Sequence, residues 1–154
     1  MTGVERVNSS VLDRLVTPRR AAKIFVGLIM VICGFQLALA LGAPWGRFAM
    51  GGIYPHAYPP AMRLAALVQI AVLAGAALVV LSRAGLAWRT GHQQAGWLTW
   101  VITGVLLLGF CLNLISPSPG ERLLWSPVAL GLFLCAARIA SSRPSTHFTP
   151  VNKD

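Results

Sequence analysis

Four long apolar runs constrain this chain more than any other feature of its sequence. They cover residues 21–41, 64–81, 96–115 and 124–140. A helix needs roughly 20 mainly apolar residues to cross a bilayer, and its backbone polar groups must be satisfied within the helix. The runs therefore predict an all-α polytopic membrane protein, with four transmembrane helices in an antiparallel bundle.

Composition supports membrane embedding and argues against a soluble domain. Only 11% of the 154 residues are charged, whereas 56% are apolar; soluble domains carry about 25% charged residues. The formal net charge of +9 would suggest nucleic acid in a soluble protein. The chain carries no nucleic-acid-binding motif, so we expect membrane lipid around it and no nucleic acid as a partner.

The basic residues indicate how the bundle is oriented. All but three of the 13 lysines and arginines lie on the side that also carries both termini, the exceptions being Arg47, Arg63 and Arg122. Cytoplasmic segments carry the excess of basic residues in membrane proteins. The distribution predicts a multi-pass protein of the cell (inner) membrane, with both termini in the cytoplasm and the first loop outside.

Three segments follow from these patterns. Residues 1–20 form a basic cytoplasmic segment, residues 21–140 the transmembrane domain, and residues 141–154 a disordered cytoplasmic tail. The first apolar run exceeds the 7–15 residues typical of a signal peptide, so we expect it to be retained. Pro127 is expected in the first turn of the fourth helix, where a missing N–H costs little.

The loop between the first two runs has an unusual composition. It reads GAPWGRFAMGGIYPHAYPP, from Gly42 to Pro60. Glycine permits backbone conformations that other residues resist, proline fixes φ, and a simple connection would be far shorter. We therefore expect a structured cap over the outward ends of the helices. The loop lacks the pattern of a phosphate-binding loop, and His56 has no second metal ligand near it in sequence.

Few polar side chains lie inside the runs, and three of them belong to the outward half of the bundle. These are Gln36, Gln69 and Asn113. Polar groups in hydrocarbon usually face other helices. Two interpretations stay open: a small polar pocket that opens outward, or hydrogen bonds between helices.

Glu121 is the only acid between Asp13 and Asp154. It follows the second outward loop and lies on the same side as Arg47 and Arg63. One interpretation is an ion pair with either arginine, which would tie the two outward loops together. The other is a solvated Glu121 that caps the fourth helix, because a carboxylate is favourable near a helix N-terminus.

Several chemistries lack the residues that they need. No Asp, Glu or His lies within the four predicted spans, whereas proton-coupled transport generally relies on an embedded ionisable group. The three cysteines, Cys33, Cys111 and Cys135, form no Cys-x-x-Cys pair. We expect no catalytic residue, no metal and no cofactor, although the sequence leaves enzymatic activity undecided.

The elements GAPWGRFAMGG (42–52) and SPGERLLWSP (118–127) carry a resemblance that covers about residues 21–140. The chain resembles a group of small uncharacterised four-helix bacterial integral membrane proteins with a Gly-Ala-Pro-Trp-Gly outer loop. The resemblance implies a common outward-face design around Pro44, Trp45, Gly46, Gly51, Gly52, Glu121, Arg122, Trp125 and Pro127. Arg47 stands where the group often has an acid, which reverses the local charge.

These observations favour a non-enzymatic subunit or interaction protein that acts through its outward loops. Its partner would be another membrane protein or a second copy of the chain. The alternative is a small-solute transporter or membrane enzyme with a polar pocket in the outward half of the bundle. The candidate outward-face site comprises Gln36, Trp45, Arg47, Arg63, Gln69, Asn113, Glu121 and Arg122.

Overall fold

The computed structural model describes residues 17–87 and 92–142, with no side-chain account of 92–95. Its four helices are α1 (Pro18–Ala40), α2 (Pro60–Arg83), α3 (His92–Leu114) and α4 (Pro119–Ala140). All four are long and apolar enough to cross a membrane, and the described residues contain no strand. The prediction of an all-α protein with four spans is confirmed. The ends of the chain, including residues 1–16 and 143–154 of the predicted tails, lie outside the described residues.

Each helix begins three to five residues before the predicted span. Proline occupies the first turn of α1, α2 and α4, where its missing N–H has no helical partner to lose. The side-chain oxygens of Thr17 and Ser118 cap α1 and α4, accepting from Arg20 N and Glu121 N respectively. Because these polar first turns precede the apolar runs, hydropathy alone misses them.

The prediction that Pro127 opens the fourth helix is wrong. Pro127 lies inside α4, and Pro119 takes the first-turn position instead. A proline nitrogen cannot donate, so the carbonyl of Leu123, four residues earlier, lacks its usual helical partner. Membrane helices tolerate such a proline where other groups satisfy the freed carbonyl.

The four helices alternate in direction, so the bundle has two distinct ends. The cap end carries the connections 41–59 and 115–118, and the terminal end carries Pro18, Arg83, His92 and Ala140. Helix α1 packs against α2 and α4, and α3 packs most extensively against α4. Among neighbouring pairs, α2 and α3 make the smallest contact, which leaves a seam between them.

The apolar core occupies two separate regions of the bundle. The larger cluster lies toward the terminal end and joins α1, α2 and α4; its buried members are Ala21, Ala22, Phe25, Ile29, Val80, Leu132, Cys135, Ala136 and Ile139. The smaller cluster, Leu39, Ala49 and Tyr58, packs beneath the cap with Phe35, Tyr54 and Met62. The space between the two clusters holds the candidate site.

Candidate functional site

The connection 41–59 folds back on itself around Gly46, as the predicted cap requires. The Gly46 N–H donates to the His56 carbonyl at 3.2 Å. A Cβ at Gly46 would overlap the carbonyl oxygen of Tyr54 and lie 2.7 Å from that of His56. Only glycine therefore allows the two arms of this loop to approach so closely.

The tip of the cap adopts left-handed backbone conformations over three consecutive residues. The φ angles are 53° at Met50, 71° at Gly51 and 79° at Gly52. Glycine adopts such angles without a steric cost, whereas methionine does so rarely. The turn aims the Gly51 N–H at the start of α4.

Glu121 receives that N–H and joins the two connections of the cap end. Its Oε2 accepts from Gly51 N at 2.6 Å and from the Ser116 hydroxyl at 2.7 Å. Glu121 lies in the first turn of α4, where a carboxylate is favourable. The position of Glu121 agrees with the helix-capping interpretation, but the cap itself is Ser118, and the Glu121 carboxylate is part-buried and ties the two loops together. The link between the loops is the hydrogen bond from the Gly51 backbone N–H. The predicted ion pair of Glu121 with Arg47 or Arg63 is not formed among the described residues.

Two further hydrogen bonds fasten the cap to α4. The Ser118 hydroxyl donates to the Arg47 carbonyl at 2.8 Å, and the Trp125 indole N–H donates to the Phe48 carbonyl at 2.7 Å. The Phe48 ring packs so closely that a Cβ at Gly120 would lie 2.9 Å from it. The cap and the first two turns of α4 therefore form one packed unit.

The three cap-end arginines hold loop structure and are absent from the lining of the cavity beneath the cap. Arg63 Nε donates to the Tyr58 carbonyl at 2.9 Å, and Arg122 donates to the Ser116 carbonyl at 2.9 Å. The Arg47 guanidinium lies 4.6 Å from the centre of the Phe48 ring, a cation–π distance. Trp45 stacks on Phe35 at 6.2 Å, on the outside of the cap. Four of the eight predicted site residues are therefore peripheral.

The other four predicted residues surround one cavity of about 430 Å³ beneath the cap. They are Gln36 of α1, Gln69 of α2, Asn113 of α3 and Glu121 of α4, so every helix contributes one polar group. Leu73, Leu106 and Leu132 line its deeper, apolar part. Its volume falls in the range of small-molecule sites, and such sites combine apolar walls with few polar groups.

The polar groups of the cavity are incompletely paired. Gln36 is 8% exposed, and neither its amide nor that of Gln69 makes a hydrogen bond among the described residues. Asn113 uses its amide N–H within α3, donating to the Gly109 carbonyl at 2.9 Å. Among the described residues, none of Gln36, Gln69 and Asn113 therefore forms a hydrogen bond to another helix, which was the second interpretation of these side chains. The amides face the cavity with free donors and acceptors.

Tyr58 and Trp125 also line the cavity, and the candidate site predicted from the sequence contains neither. Tyr58 is 4% exposed, and its hydroxyl makes no hydrogen bond among the described residues. Burial raises the pKa of Tyr58, and the nearby Glu121 carboxylate and Tyr54 raise it further. The phenol thus stays protonated at neutral pH and can donate. Only the bend of the cap, which the sequence pattern does not specify, turns Tyr58 inward.

No family model, curated protein or solved structure matches this chain. The chemistry of the cavity is therefore inferred from its own residues. Within residues 17–87 and 92–142, no three His, Cys, Asp or Glu side chains cluster as metal ligands. The arrangement provides a hydrogen-bonding head region at the cap end and an apolar region toward the middle of the bundle.

Proposed function

We propose that this protein is a multi-pass membrane protein that binds an amphipathic small molecule in the cavity beneath its cap. The observation that carries the proposal is the Gln36 amide, which is 8% exposed, lines the cavity and has no hydrogen-bond partner among the described residues. The amide is not sealed inside the protein, since the sealed side-chain atoms without a partner among the described residues are Arg83 Nε and Ser126 Oγ. The donors and acceptor of the Gln36 amide therefore open to the cavity, where a bound polar group can pair with them. Gln69 and Tyr58 offer further unused hydrogen-bonding atoms beside it.

Binding without catalysis is the function that these groups support best. Glu121 and Tyr58 are the titratable side chains that line the cavity. One Glu121 oxygen already accepts two hydrogen bonds from the cap, and a raised pKa keeps Tyr58 protonated. Among the described residues, no Ser, Thr, Cys, His, Lys or Asp side chain lines the cavity beside this pair, so the cavity is equipped to hold a ligand.

The experiment compares what co-purifies with the full chain and with the double variant Gln36→Leu/Gln69→Leu. Both proteins are isolated from native membranes in mild detergent, and bound small molecules are identified by mass spectrometry. We expect one molecular species near one equivalent in the wild type, lost in the double variant. The matched control is Ala71→Trp, since Ala71 is exposed on the opposite face of α2. Equal content in all three proteins, or no enriched species, would contradict the proposal.

We also propose that the membrane is the inner membrane and that the cap end faces away from the cytoplasm. The excess of basic residues around the terminal end supports this orientation. In a variant without native cysteines, an impermeant maleimide should label Ile53→Cys in intact cells and Ser141→Cys only after permeabilisation. The reverse pattern would invert the bundle.

A second candidate function is a subunit that contacts a partner protein, or a second copy, through the outside of the cap. Its support is Ile53, which is 70% exposed at the cap surface, together with the exposed ring of Trp45. Apolar surface of this kind often marks an interaction site. The cap belongs to the elements 42–52 and 118–127, on which the proposed resemblance to the group of small four-helix bacterial membrane proteins also rests. Substituting Ile53→Asp should remove a stoichiometric protein partner from native-membrane preparations; an unchanged partner would refute this contact.

A further inference from the structure

We propose that the ligand is an uncharged, hydroxyl-bearing amphiphile with a single chain, which enters sideways from the bilayer between α2 and α3. This inference deepens the proposed function and rests on it. Its two parts, the chemistry of the head group and the route of entry, follow from different features of the same cavity.

The charge of the cavity excludes an anionic head group. Glu121 contributes the negative charge, and no Lys, Arg or His lines the cavity. Arg63 and Arg122 are engaged with backbone carbonyls of the loops, and Arg47 lies over Phe48. A phosphate or carboxylate placed beside Glu121 would meet a like charge in a region of low dielectric, without a compensating cation.

The hydrogen-bonding pattern favours a hydroxyl over a head group that only accepts. A carboxylate is purely an acceptor, and Glu121 Oε1 takes no hydrogen bond among the described residues. A quinone or simple ester offers acceptors alone and leaves that oxygen unmatched. A hydroxyl can donate to Glu121 and accept from the amide of Gln36 or from the Tyr58 phenol.

A cationic head group is not required to balance Glu121. Its Oε2 is held by the Gly51 N–H and the Ser116 hydroxyl, and the residue lies in the first turn of α4. The partial positive charge at a helix N-terminus stabilises a carboxylate there. The cavity is therefore matched to a neutral polar group, which also loses less hydration than an ammonium group on entering.

The size of the cavity limits how much of the ligand it can hold. A volume of about 430 Å³ corresponds to roughly 14 water-sized volumes of about 30 Å³ each. That space accommodates a small polar head and the first part of one chain beside Leu73, Leu106 and Leu132. The rest of the chain must leave the cavity through an opening.

The opening lies at the seam between α2 and α3. Lining residues of α1 and α4 are buried or half-buried, with Gln36 and Leu132 among the buried ones. Among the helical lining residues, the exposed ones lie on α2 and α3: Ala65, Gln69 and Val105, the last 63% exposed. The cap contributes one further exposed lining residue, Met50. Helices α2 and α3 also make the smallest contact of the neighbouring pairs. Since the seam faces hydrocarbon in a membrane, a ligand chain can extend through it into lipid.

The test uses four photoreactive probes that share one acyl or alkyl chain carrying a diazirine. The head groups are glycerol (a monoacylglycerol), phosphate (a lysophosphatidic acid), carboxylate (a fatty acid) and ammonium (an alkylamine). Each is added to the full chain in lipid nanodiscs, and cross-linked peptides are mapped. We expect the monoacylglycerol to label residues 62–73 and 105–113 at least fivefold more than the other three.

Two variants separate the route of entry from the head-group chemistry. Ala65→Trp fills the seam and should reduce monoacylglycerol labelling severalfold, whereas Ala71→Trp on the lipid-facing side of α2 should leave it unchanged. Gln36→Leu tests the head contact without altering the seam. Equal loss in both tryptophan variants, or no loss in either, would overturn lateral entry.

The outcomes also distinguish this inference from the proposed function. Stronger labelling of the same cavity peptides by the phosphate, carboxylate or ammonium probe would overturn the neutral class while leaving a ligand site in place. Labelling spread over all lipid-facing helices, insensitive to Gln36→Leu, would overturn both. Monoacylglycerol labelling confined to the cavity and reduced in Gln36→Leu and Ala65→Trp is the result that the inference requires.

Discussion

The backbone N–H of Gly51 donates a 2.6 Å hydrogen bond to Glu121 Oε2, joining two loops that are 70 residues apart in the chain. The same carboxylate lines the cavity beneath the cap. One side chain thus fastens the cap to α4 and gives the cavity its negative charge. The stability of the cap and the chemistry of the site are linked through it.

Removing this carboxylate should destabilise the cap. Glu121→Ala loses the acceptor for Gly51 and Ser116, so we expect unfolding to become easier by about 2–3 kcal/mol. Glu121→Gln retains a neutral amide oxygen that can accept both bonds at the position of Oε2, and should lose less than half as much. The free energy of unfolding of the two variants is measured in mixed micelles by titration with a denaturing detergent. An alanine variant as stable as the wild type would show that these bonds carry no stability.

The close approach at Gly46 predicts a large effect from one methyl group. Gly46→Ala places a Cβ against the Tyr54 and His56 carbonyls, and because both are backbone atoms the loop must open. We expect a loss of about 1–3 kcal/mol in the free energy of unfolding, as for other overpacked sites. Gly27→Ala is the matched control, since a Cβ at Gly27 has no neighbour within 4 Å. Equal stability of the two variants would rule out the tight loop.

The indole N–H of Trp125 holds the cap from the α4 side. Trp125→Phe keeps an aromatic ring against Phe35, 4.7 Å away between ring centres, but loses the 2.7 Å bond to the Phe48 carbonyl. We expect destabilisation of about 1 kcal/mol and faster proteolysis within residues 46–53. Trp97→Phe on the exposed surface of α3 should be neutral. Identical digestion of both variants would contradict a role for Trp125 in anchoring the cap.

Much of the fold follows from the sequence because membrane helices are specified by length and hydrophobicity. The four spans, and the assignment of Gln36, Gln69 and Asn113 to the same level of the bundle, need only apolar runs and their alternating direction. The cavity as such depends on how far α2 stands from α3, which no local pattern encodes. The partner of Glu121 was likewise beyond prediction, because a backbone N–H carries no signature in the sequence.

The inward orientation of Tyr58 predicts an unusual alkaline titration. The chain has two tyrosines, so Tyr54→Phe leaves Tyr58 as the only phenol. Burial, with help from Glu121, raises the pKa of Tyr58 above its ordinary value of 10.0. A raised folded-state pKa means that its contribution to stability is complete below pH 10 and is lost as pH rises through the folded value. Tyrosinate absorbance should show a midpoint above 10.0; a midpoint at or below it would place Tyr58 in water.

Filling the cavity tests most directly whether it is a ligand site. Ala129 lines it, and Ala129→Leu adds volume without removing a polar group; Ala65→Leu does the same from the opposite wall. Native mass spectrometry of each variant, and of the control Ala71→Leu, reports ligand occupancy. We expect the bound small molecule to disappear from both cavity-filling variants and to persist in the control, while all three unfold cooperatively. Full occupancy in a folded Ala129→Leu or Ala65→Leu protein would show that the ligand binds elsewhere.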